Sequence, residues 1–156
     1  MNILKSSRHS KMTGDFAESL VLYWLSKYGF ECARVDHTGI DLIARNSKSD
    51  ELMGISVKSR CRISGKETEM LNIPADNFRK IESACNAFSC KPYFAIVIDA
   101  ADLVRGFILP MSRLRELCPP TERNSYWKMS KSHLAHYAKD QEIKTFELKT
   151  QTNRWW

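Results

Sequence analysis

Three short stretches carry residue types that could act together on a phosphate ester. Asp41 lies in Gly39-Ile-Asp-Leu-Ile, Lys58 lies in Ile55-Ser-Val-Lys-Ser, and Glu18 lies in Gly14-Asp-Phe-Ala-Glu. A carboxylate can hold a divalent cation, and a neighbouring ammonium can orient or activate water. The same pair could equally be a salt bridge on a sheet face. Lys58, Arg60 and Arg62 alternate, so an extended strand would set all three on one face. Such a line of cations matches a phosphate track.

The second and third of those stretches read as neighbouring strands. Ile40–Arg45 and Leu52–Arg60 are joined by the polar run Asn46–Glu51. A turn centred between Lys48 and Ser49 sets Arg45 opposite Leu52 and Asp41 opposite Ser56. Opposed residues on one face lie about 5 Å apart, and Lys58 is then diagonal to Asp41. Asp41, Ser56 and Lys58 should converge, with Leu42, Ile55 and Val57 on the other, core-facing side. A slip of one residue would destroy the arrangement.

Glu18 falls on a predicted helix from Phe16 to Tyr28. Ala17, Leu20, Val21, Trp24, Leu25 and Tyr28 form its apolar stripe, and Gly29 stops it. Asp15 is placed to cap this helix, and Asp15 with Glu18 has the spacing of a capping box. Glu18 would then sit in the first turn, on the flank of the stripe, within reach of the sheet.

The remaining elements follow from period and punctuation. Phe30–Val35 reads as a strand before an Asp36–Gly39 turn, and a helix begins near Asp76 with a stripe of Phe78, Ile81, Cys85 and Phe88. Tyr93–Ile98 reads as a buried strand and Leu103–Leu109 as another, with a short helix from Pro110 to Leu117. A helix near Ser130–Ala138 and a strand near Lys144–Leu148 complete the chain; Trp155-Trp156 could be packed or frayed. Three strands before the second helix argue against simple βαβ alternation and for a mixed α/β sheet flanked by helices.

Composition bounds the rest. The chain has 156 residues, 43% hydrophobic and 27% charged, with net charge +6. One domain with a real core is expected. No apolar run or leader-like N-terminus marks a membrane span or secretion signal, and five scattered cysteines without a CxxC pair suit a reducing cytoplasm. Lys5, Arg8 and Lys11 make the first dozen residues basic. The six glycines form neither a P-loop nor a dinucleotide fingerprint. His133 and His136 share a helix face without a partner at ligand spacing, and His37 reads as a turn residue.

Taken in order, the Glu18, Asp41 and Lys58 motifs resemble the PD-(D/E)xK nuclease superfamily, in particular the branch of archaeal Holliday junction resolvases and restriction-endonuclease-like proteins. The resemblance runs from Met12 to Ile98. It implies a restriction-endonuclease-like α-β-β-β-α-β core over about residues 12–98, with a C-terminal extension over about 103–156. It also implies an endonuclease cutting DNA, on branched substrates, as a homodimer. Asp41 would bind Mg²⁺ or Mn²⁺ with Glu18 assisting, the Val57 carbonyl would be a further ligand, and Lys58 would serve the water. Arg60, Arg62, Lys11 and Lys66 would hold DNA phosphates. One departure matters: Ser56 stands where the family carries glutamate or glutamine. A water on Ser56 could fill that place, a carboxylate from Glu82 or Asp36 could replace it, or cleavage could be lost while binding survives. Glu51 has the wrong parity for the role.

Overall fold

The structure, a computed structural model, describes residues 4–154. Helix α1 (His9–Lys27) is followed by strands β1 (Phe30–His37), β2 (Ile40–Asn46), β3 (Leu52–Arg62) and the short β4 (Leu71–Pro74). Then come α2 (Asp76–Phe88), β5 (Lys91–Ala100), β6 (Leu103–Pro110), α3 (Met111–Leu117), β7 (Asn124–Trp127), α4 (Lys131–Lys139) and β8 (Lys144–Lys149). Six strands form one sheet in the order β1-β2-β3-β5-β6-β8, and β4 pairs with β7 in a separate two-stranded sheet. Only β3 and β5 run parallel in the large sheet; the other four pairings are antiparallel. The parallel step requires a crossover, and α2 lies within it.

The sheet is packed on both faces. Ala17, Leu20, Val21 and Leu25 of α1 cover Leu42, Ala44, Ile55, Ala95 and Val97 on one side. On the other, Phe78, Ile81 and Ala84 of α2 pack with Phe94, Ile96 and Ile98. That double cover explains why β5 reads as a nearly unbroken apolar run. The same second core takes in α3 and the β4–β7 pair, with Trp127 stacked on Tyr137 of α4 at 4.0 Å.

The predicted hairpin register is present: Arg45 pairs with Leu52 and Leu42 with Ile55. The predicted start of α1 is not. The helix begins at His9, so Asp15 is an interior residue ion-paired to Lys11 at 3.0 Å rather than a cap, and Glu18 lies in the third turn. Residues 9–15 carry no apolar stripe; they continue a helix already nucleated by packing farther along, and adding a turn to a formed helix costs little. Strands β4 and β7 were not foreseen, because each is four residues long with only two buried side chains. Trp155-Trp156 lie outside the described residues.

Candidate functional site

Asp41 sits at the point where β2 and β3 part. Their ladder runs from Arg45–Leu52 to Leu42–Ile55 and stops there. Beyond it, the Val57 amide donates to Oδ2 of Asp41 at 2.6 Å, so the carboxylate takes the place of the missing strand partner. A strand residue's N–H and C=O point to the same side, so the Val57 carbonyl also faces this opening. Gly39, with φ of +103°, brings the start of β2 against α2: a Cβ there would lie 2.3 Å from the carbonyl oxygen of Lys80. Only glycine permits both the left-handed φ and this approach.

Ser56 and Lys58 share the sheet face turned to α2, being aligned with the core residues Phe94 and Ile96 of β5. Burial lowers the pKa of Lys58 most, the Asp41 carboxylate pulls it back up, and Lys80 and Arg60 push it down again. Asp41 and Lys58 therefore interact across the opening. The one side-chain hydrogen bond of Asp41 among the described residues goes to the Val57 amide, not to Lys58.

Glu18 comes from α1, where it meets Arg34 of β1. Its pKa is raised by burial and next by repulsion from Asp41, while Arg34 at 3.6 Å pulls it down. Arg34 also donates to the Asp15 carbonyl at 3.2 Å and to the Ser19 hydroxyl. Arg34 pairs with Leu42 across β1 and β2, and cross-strand partners share a face. That parity in the sequence could have placed it beside α1. Lys80 has no comparable signal, since its position depends on how α2 is rotated over the sheet.

Two carboxylates that repel one another are suited to a shared cation. Ser56 is only 3% exposed. No trio of His, Cys, Asp or Glu side chains is gathered closely enough to hold a metal among those residues. The donors thus fit a divalent ion held by Asp41 and Glu18 and completed by neutral oxygens; they do not form a three-carboxylate cage.

The other candidates separate. Glu82 is paired with Arg115 at 2.8 Å, and Asp36 is exposed on β1, which runs through the predicted turn start to His37. Glu51 bonds Tyr93 at 2.6 Å and Lys91 at 3.2 Å, at the far end of β3. Arg60 is exposed near the site. Arg62 differs: its side chain is 15% exposed and bonds Glu69 at 3.1 Å and the Met70 carbonyl at 2.7 Å. Lys66 is also paired with Glu69 at 3.1 Å, so both cations tie down the loop before β4. Lys11 is held by Asp15. His37 bonds the Thr38 carbonyl within its turn, and His133 meets Ser130 at 2.6 Å.

The fold has a solved counterpart. A Holliday junction resolvase (Hjc) from the archaeal hyperthermophile Archaeoglobus fulgidus superposes with a TM-score of 0.57 at 22% identity, covering 79% of this chain and 88% of the resolvase. The fold is restriction-endonuclease-like. A restriction endonuclease in complex with substrate DNA is also similar, with a TM-score of 0.43 at 14% identity over 97% of this chain and 76% of that one. No family model and no curated protein sequence matches the chain. In this restriction-endonuclease-like frame the charge of Asp41 bears on both Glu18 and the desolvated Lys58, and no helix of the described residues is long and apolar enough to cross a membrane.

Proposed function

We propose that the chain is a divalent-metal-dependent DNA endonuclease that hydrolyses phosphodiester bonds at the β2–β3 opening. The observation carrying this reading is the Asp41 carboxylate, fixed by the Val57 amide, whose charge acts on both Glu18 and Lys58. Mg²⁺ or Mn²⁺ would be held by Asp41 and Glu18, with the Ser56 hydroxyl and Val57 carbonyl as neutral oxygens. Bound there, it would supply Lewis-acid charge at the scissile phosphate.

The protein's own groups do the remaining work. Asp41 keeps one carboxylate orientation because its second role, accepting from the backbone, leaves little freedom. Lys58 is partly desolvated, so its ammonium is the group best placed to hold an attacking water or to offset charge on the pentavalent phosphorus. Arg34 neutralises Glu18 until a cation competes for it. Arg60 extends the positive charge along β3 towards a neighbouring phosphate, which gives affinity without base readout. Branched DNA as substrate, a two-fold dimer cutting symmetrically, a single domain over the whole chain and a cytoplasmic setting complete the proposal.

A buried serine in place of an acidic ligand favours a second reading, a DNA-binding module whose cleavage centre is disabled. Labelled duplex, single-stranded and four-way-junction DNA incubated with Mg²⁺ or Mn²⁺ separates the two. Metal-dependent nicking that vanishes in Asp41→Asn supports the nuclease, whereas binding without nicking by the unaltered protein supports the module.

A further inference from the structure

A cavity of about 340 Å³ lies between the segment leading into α1 and the end of β3. Its wall includes Lys5, Ser7, His9 and Ser10 on one side and Ser59 and Arg60 on the other. Lys5 is not a loose tail residue: its ammonium bonds the Cys61 carbonyl at 3.0 Å and the Cys61 sulfur at 3.2 Å, which fastens the segment to the strand. The hydroxyls of Ser7, Ser10 and Ser59 lie on this wall, and Nε2 of His9 is shielded from solvent without a hydrogen-bond partner among the described residues. No carboxylate lines the cavity.

We propose that this cavity seats a backbone phosphate of the DNA strand bound at the β2–β3 opening, next to the phosphate that is cut. The inference rests on the nuclease reading for its ligand. Two cations and three hydroxyls match a singly charged diester, which offers acceptors only. Arg60 lies two residues beyond Lys58, a step of about 6.6 Å along the strand, so a backbone engaging Lys58 continues directly into the cavity. The basic N-terminal segment then belongs to the substrate groove.

Ser10→Glu tests the seat. Ser10 is exposed in the first turn of α1, where an acidic residue favours the helix, so the fold is retained. Ser26→Glu adds the same charge about 24 Å away along the helix. Affinity for a short labelled duplex is measured by anisotropy in EDTA across a salt series. Ser10→Glu should lose about tenfold and reduce the salt slope by about one, whereas Ser26→Glu should stay close to the unaltered protein. A duplex with one uncharged methylphosphonate at the seated linkage should bind both variants alike. Equal losses in the two variants, no loss in Ser10→Glu, or no DNA affinity in the unaltered protein each overturn the seat. Cleavage with Mn²⁺ is scored in parallel on the unaltered protein. Uncut DNA with Ser10-sensitive affinity overturns the nuclease reading alone, and cut DNA with Ser10-insensitive affinity overturns the seat alone.

Discussion

The carboxylate of Asp41 accepts the amide of Val57 at 2.6 Å, across strands whose own ladder ends one residue pair earlier. The bond gives Asp41 a structural duty as well as a chemical one, and two substitutions separate them. In Asp41→Asn the amide oxygen still accepts from Val57, so melting temperature should change little while cleavage falls by at least about a hundredfold. Asp41→Ala leaves a part-buried N–H unpaired and should cost about 1–3 kcal/mol as well. Thermal denaturation beside a nicking assay checks both; equal destabilisation by the two variants would contradict the assignment.

Burial depresses Lys58, and the consequence for stability has a definite sign. Below its folded pKa the folded state carries a desolvated ammonium that the unfolded chain keeps in water. From that pKa up to the ordinary 10.5 the unfolded state binds the extra proton, so stability rises with pH. Lys58→Met should therefore melt higher than the unaltered protein at neutral pH and lose that alkaline rise, while cleavage disappears. Asp41→Asn removes the attraction that holds Lys58 up, and should move the start of the rise to lower pH. Melting curves between about pH 7 and about pH 10 read all three.

Metal binding should appear as stability before it appears as turnover. A cation that binds only the folded state stabilises it by mass action, about 2.7 kcal/mol at a hundredfold excess over Kd. Mn²⁺ should raise the melting temperature of the unaltered protein and not that of Asp41→Asn. Glu18 is raised above its ordinary 4.5 by burial and Asp41, so the Mn²⁺ effect should fade as acid protonates it. Arg34→Gln removes the group that pulls it down and should shift the fading to higher pH. A Mn²⁺ shift unchanged in Asp41→Asn would place the metal elsewhere.

Arg60 and Arg62 look equivalent in sequence and are not equivalent in the fold. Arg62 bridges β3 to Glu69 and Met70, with Nε buried and unpartnered among the described residues. Arg62→Ala should cost about 0.5–1.5 kcal/mol of stability, since it removes the bonds that tie β3 to Glu69 and the Met70 carbonyl. Arg60→Gln should leave melting unchanged and weaken DNA binding in a salt-dependent way. Denaturant titration and anisotropy on both variants give the comparison.

These differences mark where sequence reasoning reaches its limit. Period-2 alternation fixes which residues share a face, and the polar run between β2 and β3 fixes their register, so Ser56 and Lys58 could be put on one face and Arg45 set opposite Leu52 without coordinates, although the ladder stops before Asp41 meets Ser56. Alternation says nothing about what a neighbouring loop supplies, and Arg62 is claimed by Glu69 seven residues later. The start of α1 was hidden because a helical extension without a buried stripe leaves no periodic trace. The splay of β2 from β3 was also out of reach, since it depends on α2 being packed against Gly39.

That contact yields the sharpest packing prediction. Gly39 has φ of +103°, and a Cβ there would lie 2.3 Å from the Lys80 carbonyl oxygen and 2.6 Å from its carbon. Both atoms are helix backbone and cannot rotate away. Gly39→Ala must therefore accept backbone strain and also push α2 from the sheet, with a combined cost of about 2–4 kcal/mol. Because Asp41 is two residues along, the displacement should release its bond to Val57. Cleavage should then fall even at temperatures where the variant is fully folded. Gly65→Ala is the control: its φ is +88°, but nothing lies within 4 Å of its Cβ. It should show the strain alone, a loss of about 1 kcal/mol with cleavage intact. Equal effects of the two alanines on stability and cleavage would mean that the close approach to Lys80 does not position Asp41.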